Sequence, residues 1–213
     1  MSRLLTNSRR RPIRLEIGPE DEGRWLAKDE YLKARFRDDV GVVYEIIDGF
    51  LIVSPTPTPS HSYWVTLLHT ALQRYADRHR AHQLTICFDA EVVIPNRAGP
   101  TRPIPDLAIY RDVDLSSAAE WDDLDPFLVI EVISGRRAKK DTVRNRHLYC
   151  TVPGIEEYWI IDPRENLLQP KLWALRRPTS SSDWQETAVT FGETYKTKVL
   201  PGFSLNLRRL AKR

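Results

Sequence analysis

Two apolar runs each carry one acid, and that combination constrains this chain more than anything else in it. Pro105-Asp106-Leu107-Ala108-Ile109-Tyr110 opens with Asp106, and Phe127-Leu128-Val129-Ile130-Glu131-Val132-Ile133 holds Glu131 near its centre. Short aliphatic runs of this length read as strands buried on both faces. A carboxylate inside such a strand is costly unless it is paired or binds a cation. Two of them, 25 residues apart with arginines nearby, suggest a divalent-metal site for phosphodiester chemistry. A buried ion pair, with Arg102 as one candidate partner, or a carboxylate at a strand end explains the same residues.

Around these runs the chain alternates turn signals with apolar segments. Val42–Ile47 and Phe50–Val53 flank Asp48-Gly49, a dipeptide that favours the positive φ angles of a tight hairpin. A short helix is expected over 28–35. Ser60 is expected to cap a helix over about 61–80, whose Trp64, Leu67, Leu68, Ala71, Leu72 and Tyr75 follow helical spacing. A strand over 84–94 should enter a Pro/Gly-rich loop at 95–105. The acid-rich segment 112–125 reads as a loop or short helix. A helix over about 137–151 should end at Pro153-Gly154, followed by a strand at 157–161 and further β structure to the C-terminus. The order predicts an α/β or mixed α+β domain: a central mixed sheet flanked by helices, with extra strands at both ends.

With 213 residues, 41% of them hydrophobic, the chain can bury one sizeable core. Residues 1–20 read as a basic arm, with Arg3, Arg9, Arg10, Arg11 and Arg14, and 21–213 as a single domain. Cys87 and Cys150 form no metal or redox motif, so free thiols in a reducing cytoplasm are expected. No run approaches the roughly 20 apolar residues that a membrane span needs. The net charge of +3 is too small to indicate a partner. Locally it is more telling: Arg136, Arg137, Lys139, Lys140, Arg144 and Arg146 put six cations in eleven residues, against one acid, Asp141. Beside the carboxylates, that segment is where a nucleic-acid backbone is expected to pass, unless it is an ordinary solvated helix face.

Pro105-Asp106, Glu131-Val132-Ile133-Ser134, Asp141, Tyr149 and Gly154-Ile155-Glu156-Glu157-Tyr158-Trp159-Ile160-Ile161-Asp162-Pro163, in this order, resemble the Uma-two family of restriction-endonuclease-like proteins in the PD-(D/E)XK nuclease superfamily. Tyr44–Gly49 and Ser54-Pro55-Thr56-Pro57 followed by His61 match as well. The resemblance implies a DNA endonuclease with Asp106 and Glu131 as ligands of Mg²⁺ or Mn²⁺, and the Val132 carbonyl as a further ligand. It implies Glu45 as an accessory acid, His61 and Tyr149 as accessory residues, and a homodimer, for which Trp173 is a candidate contact. One departure matters. Where the superfamily carries lysine two residues after the glutamate, this chain has Ile133, and where the family places a lysine four residues after the aspartate, it has Asn145. Asp141, Asn145 and Tyr149 share a helix face, and Lys139 or Lys140 is a candidate to reach in. Expected from this are a slow enzyme that Asn145→Lys accelerates or, alternatively, a catalytically silent nucleic-acid-binding or regulatory protein that keeps the fold.

Overall fold

The structure is a computed structural model that describes residues 15–38, 41–113, 120–135, 139–179 and 183–212. Most of the expected basic arm, the 114–119 part of the acidic segment, and Arg136 and Arg137 lie outside the described residues. At the N-terminal side, β1 (Glu16–Ile17) pairs in parallel with β2 (Arg35–Phe36) around α1 (Lys28–Lys33). Ile17 is already fully buried there, against Leu26, Ile46 and Leu51.

The hairpin of β3 (Val42–Ile47) and β4 (Phe50–Pro55) turns on Asp48 and Gly49, with φ of 53° and 84°. Both values are left-handed, as a two-residue turn between strands requires. Asp48 tolerates this because Arg97 clamps its carboxylate through Nε at 2.7 Å and Nη2 at 2.6 Å. Gly49 has no alternative, because a Cβ there would lie 2.3 Å from Trp25 Nε1. Gly49→Ala is therefore expected to cost about 2 kcal/mol from the left-handed φ and the displaced indole together, lowering the melting temperature by roughly 4–8 °C. A thermal melt beside Gly23→Ala, where φ is also positive but space is open, separates the two contributions.

Helix α2 (Pro59–Arg78) is capped by Thr58, whose Oγ1 accepts from the His61 backbone N–H at 3.4 Å. The cap is thus two residues earlier than Ser60, because Pro59 takes the first helical position, where its missing N–H costs nothing. Trp64, Leu68, Leu72 and Tyr75 form the buried face of α2. That face lies on a six-stranded sheet of order β10-β9-β8-β7-β6-β5. Its strands are β5 (Leu84–Cys87), β6 (Leu107–Arg111), β7 (Leu128–Val132), β8 (Glu157–Asp162), β9 (Lys171–Arg176) and β10 (Gln185–Val189). Among the described strands of this sheet only β7 and β8 pair in parallel, joined by a crossover through a π-helical stretch, Lys140–Asn145, and α3 (Arg146–Cys150). The C-terminal end adds β11 (Tyr195–Lys196), β12 (Ser204–Leu205) and α4 (Leu207–Ala211). The mixed sheet with helices on it is the architecture expected from the sequence.

Strand alternation divides the core into two layers. Leu128, Ile130, Val132, Trp159 and Ile161 face α2, whereas Val129, Ile133, Tyr158 and Ile160 face Leu148 and Tyr149 of α3. By the same alternation, Glu131 points to the α3 side. Two expected elements differ. The 84–94 strand stops at Cys87, because Asp89 takes a left-handed φ of 51° that no strand accommodates. Beyond it, Val92 and Ile94 donate to the Pro103 and Thr101 carbonyls, folding 88–104 into an irregular loop. That loop stitches the β3–β4 hairpin to the rest of the molecule, since Arg102 N–H donates to Ile46 O at 2.7 Å and Gly49 N–H to Pro100 O at 2.9 Å. The helix expected over 137–151 is described from Lys139 onward and is wider than an α-helix over Lys140–Asn145.

Candidate active site

The site forms where β6 begins and β7 ends. Leu107 pairs with Ile130, so one step further the antiparallel register carries Asp106 beside Glu131, on the same face of the sheet. Asp106 is held at both oxygens. Its Oδ2 accepts the Val132 backbone N–H at 2.6 Å, and its Oδ1 lies 2.9 Å from His61 Nε2. His61 stands in the first turn of α2, where the Thr58 cap sets the helix entry. Its Nδ1 is buried without a hydrogen-bond partner among the described residues, and because the Asp106 carboxylate can only accept, it is Nε2 that donates to it. The imidazole thus fixes the direction of the carboxylate.

Glu131 is 2% exposed, and its Oε1 accepts from Asn145 Nδ2 at 2.8 Å and from Tyr149 OH at 3.2 Å. Asn145 is fully buried and also faces Asp141, with Nδ2 3.5 Å from Oδ1. The π-helical stretch is what brings this about: its wide turn places Asp141 and Asn145 together over Glu131, and Tyr149 follows in α3. Tyr158 OH donates to the Asp141 carbonyl at 3.0 Å, tying this turn to β8. Single π turns of this kind are common at functional sites.

Glu45, from β3, forms the third wall. It is 2% exposed rather than an open hairpin position. Its Oε1 accepts the Ile104 N–H at 3.1 Å and lies 3.2 Å from Lys140 Nζ, and Arg144 Nη2 donates to its Oε2 at 3.0 Å. Arg144 also donates through Nε to Asn145 Oδ1 at 2.9 Å. A continuous polar network therefore runs from Glu45 through Arg144 and Asn145 to Glu131.

The charges in this network are unevenly compensated. Burial and the charge of Asp141 push the Glu131 carboxyl well above the usual carboxylate range, with Lys140 opposing and Asp106 and Glu45 adding to the shift. Burial likewise lifts Asp141 to about 7, against the pull of Lys140 and with the help of Asp106 and Glu45. Glu45 goes the other way: burial raises its pKa, but Lys140 and Arg144 outweigh it, so Glu45 is held ionised. Burial disfavours the Lys140 ammonium, yet Glu131, Glu45 and Asp141 more than offset this and keep it charged. Among the described residues, carboxylates here outnumber the cations that face them, and a further cation would lower the energy of the ionised cluster.

A buried carboxylate in a strand is not by itself a site. Glu157 on β8 is fully buried but accepts from Trp159 Nε1 at 2.8 Å and Thr197 Oγ1 at 2.9 Å. Asp162, at the end of β8, is clamped by Arg164 through Nε at 2.8 Å and Nη2 at 2.7 Å. Those acids are satisfied locally. Asp106, Glu131 and Asp141 instead lie close enough to raise one another's charging cost, with Asn145 Nδ2 between Glu131 and Asp141.

Of the residues singled out in the sequence, Asp106, Glu131, Asn145, Glu45, His61 and Tyr149 meet in this cluster. The Val132 N–H contributes by holding Asp106. The basic segment divides. Lys140 and Arg144, expected on a nucleic-acid face, turn inward to Glu45, whose buried carboxylate would be strongly destabilising if left unpaired. Arg146 pairs with Glu186 of β10, and Lys139 is exposed, with no ion pair among the described residues. Arg102 takes no part in the cluster; it pairs with Glu91 at 2.8 Å and with Asp122. Sequence reasoning passed over Asp141 as a site residue. Its four-residue spacing to Asn145 and from there to Tyr149 was the available signal. Of the two lysines that are candidates to reach in, Lys140 does so, and its partner there, Glu45, had no local sequence signal.

Residues 29–208 match the Uma2 family, described as "Putative restriction endonuclease". Among solved structures, the chain is similar to one from Anabaena variabilis titled a "putative nuclease belonging to DUF820". The TM-score is 0.63 at 16% identity, over 88% of this chain and 98% of the other, and it shows a shared fold. No curated protein matches the chain.

Proposed function

The chain belongs to the Uma2 family, and on that premise we propose that it is a metal-dependent endonuclease hydrolysing phosphodiester bonds in DNA. The observation that carries this reading is the under-compensated cluster of Asp106, Glu131 and Asp141 with one ammonium, Lys140, turned into it. The donor set fits Mg²⁺ or Mn²⁺. Among the described residues no three His, Cys, Asp or Glu side chains are gathered into a closed metal cage. Mg²⁺, however, binds through one or two carboxylates and retains waters and substrate phosphate. Asp106 and Glu131 are the pair that would hold it, both hard oxygen donors.

When bound, such an ion supplies polarisation of the scissile phosphate and an acidified water. The chain's own groups do the rest. His61 and the Val132 N–H lock Asp106 in one rotamer. Asn145 and Tyr149 donate to Oε1 of Glu131 and so orient that carboxylate. Lys140 places a fixed positive charge beside the cluster, where negative charge develops on the transferring phosphate. Glu45 holds Lys140 in that position, and Arg144 neutralises the rest of the Glu45 charge.

A catalytically silent binding protein is the second reading, favoured by one observation: Asn145 stands where the resembling family carries a lysine. Incubation of supercoiled DNA with the protein and Mg²⁺ or Mn²⁺, beside Asp106→Asn, separates the two. Metal-dependent nicking that the variant lacks supports the nuclease. DNA binding without nicking under any divalent ion supports the silent protein. No helix among the described residues is long and apolar enough to cross a membrane, and a cytoplasmic site of action is part of the proposal. So is a homodimer, for which the mostly exposed edge strand β10 offers unpaired backbone groups.

A further inference from the structure

A polar cavity lies at the other end of α2 from the carboxylate cluster. From His61 to Arg78 the helix rises about 26 Å, so this cavity is remote from the carboxylate cluster. It encloses about 270 Å³ between the last turns of α2 and the segment Gly202–Leu210. Arg74 and Arg78 reach it from α2, one helical turn apart on one face, and Arg209 reaches it from α4. All three arginines are exposed, and none has an ion pair among the described residues. Among the described residues, no carboxylate lines the cavity. The one acid of α2, Asp77, instead accepts from Gln73 Nε2 at 3.0 Å.

The floor is preformed. Tyr75 is buried, donates from its hydroxyl to the Pro201 carbonyl at 2.9 Å, and packs edge-on against Phe203 with ring centroids 5.4 Å apart. His79 stacks on Tyr75 at 4.2 Å, with its Nδ1 2.9 Å from the Tyr75 carbonyl. Asn206 caps Arg209 through Oδ1, which accepts the Arg209 N–H at 3.0 Å. Three guanidinium groups that share one concavity and lack carboxylates repel one another when the cavity is empty. Each guanidinium is a planar, multidentate fork, and three of them together can share the several oxygens of one phosphate.

We propose that this cavity is a phosphate-binding site, in which Arg74, Arg78 and Arg209 grip a phosphate group of a nucleic-acid backbone or of a free phosphorylated small molecule. The proposal goes beyond the nuclease reading and does not depend on it. The test uses the full chain in EDTA, so that cleavage cannot interfere, beside the triple variant Arg74→Gln, Arg78→Gln, Arg209→Gln. Thermal melts with and without inorganic phosphate, and anisotropy of a labelled DNA duplex over a series of salt concentrations, are recorded for both. Phosphate is expected to raise the melting temperature of the native chain but not of the variant. If the source is a nucleic-acid backbone, the variant's slope of log affinity against log salt becomes shallower by about 0.9, because the three arginines share one phosphate and about 0.9 counterions are released per phosphate contact. Lost phosphate stabilisation with an unchanged DNA slope assigns the site to a free phosphorylated ligand. Equal behaviour of the two proteins toward both probes overturns the proposal. Because the three side chains are exposed, the variant's own melt in the absence of phosphate verifies that it folds. Asp106→Asn, which disables the proposed nuclease, should leave the phosphate response intact, so the two readings fail separately.

Discussion

Replacing Lys140 with methionine is expected to lower the cleavage rate by on the order of 10²–10³, the usual loss when one preorganised positive donor is removed from a developing oxyanion. Methionine keeps most of the length and packing of the stem and removes only the ammonium. That ammonium is placed by three features. It sits 3.2 Å from Glu45 Oε1, its side chain is 24% exposed, and the charges of Glu131, Glu45 and Asp141 keep it protonated. Arg144 does not compensate, because its guanidinium is already bound to Glu45 Oε2 and Asn145 Oδ1. Adding Asn145→Lys to the Lys140→Met protein should restore part of the rate, since position 145 contacts Glu131 Oε1 directly. Initial nicking rates at saturating Mg²⁺ measure both effects, and divalent-ion affinity by calorimetry controls for loss of the carboxylate site. Native-like cleavage by Lys140→Met would remove Lys140 from the chemistry.

Asp141→Asn is expected to stabilise the metal-free protein at pH 8. Burial lifts the Asp141 carboxyl to about 7 in the folded chain, against 3.8 as its ordinary value. The sign follows from proton linkage. Between those two values the folded state holds a proton that the unfolded state has released, so stability falls as pH rises from about 4 to about 7 and levels off above that. The neutral amide removes this loss. A gain on the order of 2 kcal/mol, or a melting temperature higher by roughly 4–8 °C, is expected at pH 8 in EDTA, with little difference at pH 4. Glu131, whose pKa is also raised by burial and by Asp141, should relax in the same direction once its neighbour is neutral. A variant less stable than the native chain at pH 8 would show that the Asp141 charge is compensated in solution. The stabilisation should come with weaker divalent-ion binding. Like-charged carboxylates held together at a cost to folding are the common signature of a site built for a ligand.

The strands were legible in the sequence because their side-chain pattern is local. Aliphatic runs mark β6, β7 and β8, and Asp48-Gly49 marks the hairpin, since each depends on a period of two or on a turn conformation open to few residue types. The pairing of Asp106 with Glu131 was legible for the same reason: two acids in two buried strands have few ways to be satisfied. Where the 84–94 strand ends was not legible, because the left-handed Asp89 is stabilised by loop contacts made from elsewhere in the chain.

The sequence by itself determined the mixed sheet, the long amphipathic α2 and the presence of two costly carboxylates. Only the tertiary structure decided what surrounds them. Glu45 is 95 residues from Lys140 and 99 from Arg144 in the chain, yet it turns both inward. A segment that reads as a basic surface therefore becomes, in part, the wall of an acidic cluster. His61 reaches Asp106 only because α2 starts at the end of the sheet where β6 begins. Asp141 acquires its high pKa only when the π-helical turn sets it over Glu131. Direction, burial and charge coupling are properties of packed neighbours distant in sequence, and no local pattern encodes them.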